Sequence, residues 1–104
     1  MSNLLVREAL RRREIFNNLE VYLKIIKDTV RNMDPEAEVF LFGSVAEGKY
    51  VFSSDIDILI ITNVSPGNVL TELWKKGIKD LFEIHVQPPE KLRFYSRKCK
   101  LVKV

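Results

Sequence analysis

The sequence predicts an α/β fold of the α+β kind: a short sheet with helices packed on it, led by a long N-terminal helix. Three observations carry this. Apolar residues in the first third recur at helical spacing, three later runs are short and apolar in character, the second of them β-branched at nearly every apolar position, and turn residues separate each run from the next.

Residues 3 to about 33 read as one amphipathic helix. Leu5, Ala9, Phe16, Leu19, Leu23, Ile26, Val30 and Met33 recur at three-, four- or seven-residue steps, with the arginines largely off that stripe. Asp34-Pro35 closes the helix, because proline pushes the preceding residue out of helical geometry. Val39-Phe40-Leu41-Phe42 is consistent with a buried strand, and Gly43-Ser44 ends it, followed by a brief helical turn through Glu47. Asp55 to Ile61 forms the second strand, with Ile56, Ile58 and Ile60 pointing into a core. Ser65-Pro66-Gly67-Asn68 is a turn and helix cap, and the shorter helix it opens runs to about Lys76 and stops at Gly77. Leu81 to Val86 is the third strand, closed by Pro88-Pro89. Residues 90 to 98 carry a weak helical pattern, and the last six alternate basic with apolar residues. The 104 residues show no repeat or linker and suffice for one compact domain, 1–104, with its own core.

Composition narrows the function classes. No segment has the roughly 18 consecutive apolar residues that span a bilayer. The stretch Met1 to Arg7 is too short and too soon charged for a signal peptide, so a cytoplasmic protein is expected, without a membrane partner. A single cysteine, Cys99, excludes an internal disulfide and leaves no cysteine pair for zinc. With only one histidine as well, any metal is expected to be oxygen-ligated, as magnesium or manganese would be. The net charge of +3 concentrates in Arg11-Arg12-Arg13 and in a tail holding Lys91, Arg93, Arg97, Lys98, Lys100 and Lys103. Solvated faces are the ordinary reading of such runs, and a surface for polyphosphate, RNA or an acidic partner is the sharper one. A nucleic-acid partner stays open.

The chemistry concentrates in an acid pair, an acid–histidine pair and a turn. On a strand, residues i and i+2 share a face, so Asp55 and Asp57 would stand side by side, and like charges that close call for a bridging cation. Phe82-Glu83-Ile84-His85-Val86 likewise sets Glu83 and His85 on one face. Paired beside the Asp55 strand, Glu83 would complete a three-carboxylate cluster; otherwise Glu83 and His85 line a solvent face. His85 is either a packing histidine or a contact to a substrate phosphate or hydroxyl. Gly43-x-x-x-x-Gly48-Lys49 nearly matches the Walker A loop, but Tyr50 stands where a serine or threonine should be, and a strand follows too soon for the usual helix. What remains is a Gly-Ser turn whose backbone N–H groups and Ser44 hydroxyl suit a triphosphate.

Phe42-Gly43-Ser44, Asp55-Ile56-Asp57 and Phe82-Glu83-Ile84 together resemble the signature of the DNA polymerase β-type nucleotidyltransferase superfamily. The short length and the Gly-Ser-x-Ala-x-Gly…Ser-Asp-Ile-Asp form look most like its minimal nucleotidyltransferases, small prokaryotic proteins often encoded beside a partner of the HEPN class. The motifs cover roughly residues 37 to 86.

The resemblance implies a nucleotidyltransferase fold with a short mixed sheet, and two-metal phosphoryl transfer. Asp55, Asp57 and Glu83 would be the catalytic acids and the ligands of two Mg2+ ions, with Mn2+ as the substitute. Gly43, Ser44 and Lys49 would hold the triphosphate. The implied role is transfer of AMP from ATP to a hydroxyl of a HEPN-type toxin by its antitoxin, with a homodimer also admitted. A binding module that neutralises its partner by contact alone is the alternative, and an antibiotic-modifying enzyme a lesser one. Two departures from the pattern stand out: Glu47 occupies the place where many relatives have arginine, and the third acid is Glu83 where aspartate is common.

Overall fold

The helical opening is interrupted at its pair of adjacent asparagines. In the computed structural model, which describes residues 3–49 and 54–104, helix α1 spans Leu4–Asn17 and helix α2 spans Leu19–Met33. The single helix expected over 3–33 is therefore two. Short amide side chains compete with the backbone for hydrogen bonds. Here the Asn18 amide donates to the Glu14 carbonyl oxygen at 2.8 Å, and the Asn18 backbone N–H reaches the Glu14 and Ile15 carbonyls. The apolar stripe holds its place on α2, where Ile26 and Val30 are fully buried. On α1, Ile15 alone is buried, and Leu5 lies exposed with Leu4, Val6 and Leu10.

Four strands follow: β1 (Glu38–Phe42), β2 (Ile56–Ile61), β3 (Phe82–Gln87) and β4 (Val102–Lys103), in spatial order β3-β2-β1-β4. β1 runs antiparallel to both β2 and β4, whereas β2 and β3 are parallel. A parallel pair needs a crossover, and helix α4 (Pro66–Lys75) supplies it. The Ser65 hydroxyl caps α4 by accepting the Asn68 N–H, and Gly77 follows the helix at φ +84°. The sheet is thus mixed, as expected. β4 was not expected, because its two residues are too few to mark a strand within the alternating tail. Beside it the Val104 N–H donates to the Val39 carbonyl at 2.9 Å.

Strand alternation divides the core between two faces. Val39, Leu41, Ile56, Ile58 and Ile60 pack under α2 and α4, against Ile26, Val30, Val69 and Leu73. Phe40, Phe42, Leu59 and Ile61 face the other way and are covered by Leu92 and Tyr95 of helix α5 (Leu92–Lys98), with Cys99 and Leu101. Beyond Asp57, β2 is buried on both sides, which explains the unbroken apolar run Ile58–Ile61. Ile58 is completely buried, and its truncation in Ile58→Ala is expected to cost about 2–5 kcal/mol, read as a lowered midpoint in urea unfolding.

Polar contacts fix the two ends of β2. At its far end the buried Thr62 hydroxyl donates to Asp34 Oδ2 at 2.6 Å, while Asp34 Oδ1 accepts the Glu36 N–H at 3.0 Å. Before its start, Arg12 of α1 donates to the Ser54 carbonyl at 3.2 Å, and Arg11 meets Asp80, just ahead of β3, at 3.6 Å. Part of the basic excess on α1 thus serves to hold the segments that lead into the two parallel strands. No helix among the described residues is long and apolar enough to cross a membrane.

Candidate active site

The register of the sheet assembles the site. Asp57 pairs with Glu83 across the parallel ladder and with Phe42 across the antiparallel one. Paired residues share a face, and His85 lies two residues beyond Glu83 on that same face. Three donor-bearing side chains therefore converge beside the aromatic ring of Phe42. His85 Nε2 stands 3.5 Å from Glu83 Oε1 and 4.0 Å from Asp57 Oδ1, and one donor atom from each of the three lies within 4.8 Å of the others. The imidazole meets the Phe42 ring edge-on, with centroids 5.2 Å apart. Phe42 in turn contacts Tyr95 of α5, so the helix that covers Leu59 and Ile61 also braces the site.

Gly43 supplies the closest contact. Its φ of +74° belongs to the left-handed region, and the short helix it opens, α3 (Gly43–Ala46), starts directly over the Asp57 carboxylate. A Cβ on Gly43 would lie 2.2 Å from Asp57 Oδ2. The cradle around this carboxylate therefore requires glycine for space as well as for conformation. Ser44, half-buried, follows in the first turn of α3, where backbone N–H groups have no partners within the helix.

Burial pushes the Asp57 carboxyl above the usual aspartate range, and the negative charge of Glu83 raises it further. His85 opposes this, while a hydrogen bond with Glu83 and the charge of Asp55 add smaller upward contributions. Burial and the neighbouring carboxylate thus disfavour ionisation of Asp57, and the imidazole offsets them only in part. A divalent cation reverses that sign, and the donor set of carboxylate oxygens with one imidazole nitrogen suits one.

Of the residues singled out from the sequence, the structure gathers Gly43, Asp57 and Glu83 around one point, with Ser44 next in the chain. Asp55 is exposed immediately before β2 and lies outside the 4.8 Å group, although its charge reaches Asp57. Lys49 is exposed and points its ammonium at Glu47, 3.9 Å away. Tyr50, on which the Walker A comparison turned, lies outside the described residues. The geometry adds His85 and Phe42. His85 was visible in the alternation after Glu83, but nothing in the sequence told a packing role from a contact to a substrate phosphate or hydroxyl. Phe42 read simply as core, since a strand's register with its neighbour has no local signature.

Comparison with known proteins accords with this geometry. The chain belongs to the nucleotidyltransferase domain family, which matches residues 23–103, from within α2 to β4. Nucleotidyl transfer from a nucleoside triphosphate is the family's general activity, with a general need for divalent metal. A crystal structure provisionally assigned as a nucleotidyltransferase is 30% identical, covering 79% of this chain and 96% of its own, with a TM-score of 0.60. A second such structure, from Sulfolobus solfataricus, is 21% identical over 99% of this chain and 87% of its own, with a TM-score of 0.56; it shows the fold alone. A search of curated proteins finds no match.

Proposed function

We propose that this chain is a metal-dependent nucleotidyltransferase that moves AMP from ATP to a hydroxyl of a partner protein, as the antitoxin of a HEPN–minimal nucleotidyltransferase pair. The observation that carries the reading is the registered pair Asp57–Glu83 on neighbouring parallel strands, with Gly43 packed on the Asp57 carboxylate. Asp55, Asp57 and Glu83 would hold Mg2+ ions, or Mn2+ in their place. Such ions, when bound, neutralise triphosphate charge and acidify the attacking hydroxyl.

The chain's own groups do the rest. The Ser44 hydroxyl and the backbone N–H groups after Gly43 hold the β- and γ-phosphates, and Lys49 contributes once it swings away from Glu47. The acceptor oxygen bonds to the α-phosphorus, the bond from that phosphorus to the bridging oxygen breaks, and pyrophosphate departs. Glu83, at 56% side-chain exposure, is open to the acceptor side and takes the hydroxyl proton. The half-buried Asp57 stays fixed by Gly43 and Phe42, which preserves the alignment that in-line attack requires.

A second reading draws on one observation: Glu47 stands where many relatives have arginine and engages the cation nearest the turn. In that reading the chain neutralises its partner by contact alone. The discriminating experiment incubates the purified chain with Mg2+, α-labelled ATP and extract of its native host, beside an Asp55→Asn/Asp57→Asn double variant. A labelled protein band that disappears with the double variant is the expected result. No labelled band, together with equal neutralisation of the partner by parent and variant, would favour the contact-only reading.

A further inference from the structure

A cluster made of carboxylates alone favours the hard, oxygen-seeking Mg2+. This site departs from that pattern, because the third donor that the fold brings to Asp57 and Glu83 is the imidazole of His85 and not the carboxylate of Asp55. The separations are informative. At 3.5 Å from Glu83 and 4.0 Å from Asp57, His85 Nε2 is too far for a good hydrogen bond to either acid. Two donors bound to one cation at about 2.1 Å stand about 3.0 Å apart at right angles and about 4.2 Å apart when opposite. Both distances to the imidazole fall within that interval. The ring is also braced: the edge-on contact with Phe42 limits its swing, and only 31% of its side chain is exposed.

We propose that His85 is a nitrogen ligand of the divalent cation held by Asp57 and Glu83, and that it biases the site toward first-row transition cations over Mg2+. The inference rests on the metal-dependent transferase reading and specifies its cofactor. The chemical basis is ligand softness. Imidazole gains more from a borderline transition cation than from Mg2+, which gives up water reluctantly and prefers oxygen. On this proposal the site would be mixed, where the sequence led to the expectation of an oxygen-ligated one.

The test uses Mn2+ as the probe, titrated into the full untagged chain with and without a non-hydrolysable ATP analogue, and followed by electron paramagnetic resonance and spin-echo envelope modulation. The chain contains a single histidine, so a sample grown with histidine carrying heavy nitrogen reports His85 alone and needs no substitution. A directly bound nitrogen whose modulation changes with the label is the expected result. His85→Gln should remove that signal and weaken Mn2+ by about tenfold or more, while Mg2+ competition shifts by less than about threefold. Mn2+ that binds, is released by Asp57→Asn and shows no label-sensitive modulation would overturn nitrogen ligation while leaving the acid-based transferase reading intact. Absence of Mn2+ binding under both conditions would overturn both.

Discussion

Asp57→Asn is expected to lower nucleotidyl transfer by about a thousandfold or more while leaving the fold intact. Cation-assisted charge stabilisation contributes several kcal/mol to phosphoryl transfer, and about 4 kcal/mol corresponds to that factor. Asparagine keeps the size that fits beneath Gly43 but removes the negative charge that would hold a cation. Stability should move the other way. The folded chain holds the Asp57 proton more tightly than the unfolded chain does, because burial and Glu83 raise this group above its ordinary value of 3.8. As pH rises from that value through the raised folded one, the folded state keeps a proton that the unfolded state has released, so stability falls across this window and stays lowered above it. Asparagine does not ionise there. The metal-free variant should therefore be at least as stable as the parent at neutral pH and lack this part of the slope in a urea series across pH. A variant that loses both activity and stability would argue that Asp57 serves packing.

Gly43→Ala is the second large effect, and here stability and activity should fall together. An alanine at φ +74° costs about 1–2 kcal/mol for conformation alone. Its Cβ would also meet Asp57 Oδ2 at 2.2 Å, so the carboxylate or the start of α3 must move. A displacement of about 1 Å at a reacting centre costs about a hundredfold in rate, and at least that loss is expected. Gly48→Ala is the matched control. Gly48 has nearly the same φ, +72°, but a Cβ there meets nothing within 4 Å. It should show the conformational cost without the catalytic one, so assays of the two variants beside their unfolding curves separate strain from contact.

The sequence made the local elements legible where a physical signal was local. The Asp34-Pro35 stop after α2, the β-branched run of β2 and the Ser65 cap with Gly77 marked the end of α2 and both bounds of β2 and α4 to within a residue or two. The break at Asn18 was hidden because the apolar steps continue through Phe16 and Leu19 as if one helix ran on. β4 was hidden by its length, and the double burial of β2 by the weak pattern of α5, whose Phe94 is exposed. At the site, i, i+2 spacing placed Glu83 and His85 together without the structure. The pairing of Asp57 with Glu83, the contact of Gly43 with Asp57 and the position of Asp55 ahead of the strand all depend on register. Register arises from packing the whole sheet, and no short stretch of sequence encodes it.

Two labels followed in parallel distinguish nucleotidyl transfer from transfer of the terminal phosphate. ATP labelled at the α-phosphorus and ATP labelled at the γ-phosphorus would be offered to the purified chain with its acceptor. The α label is expected to stay on the acceptor and the γ label to be released as pyrophosphate, in equal amounts. Capture of the γ label by the acceptor, with ADP as the product, would contradict nucleotidyl transfer.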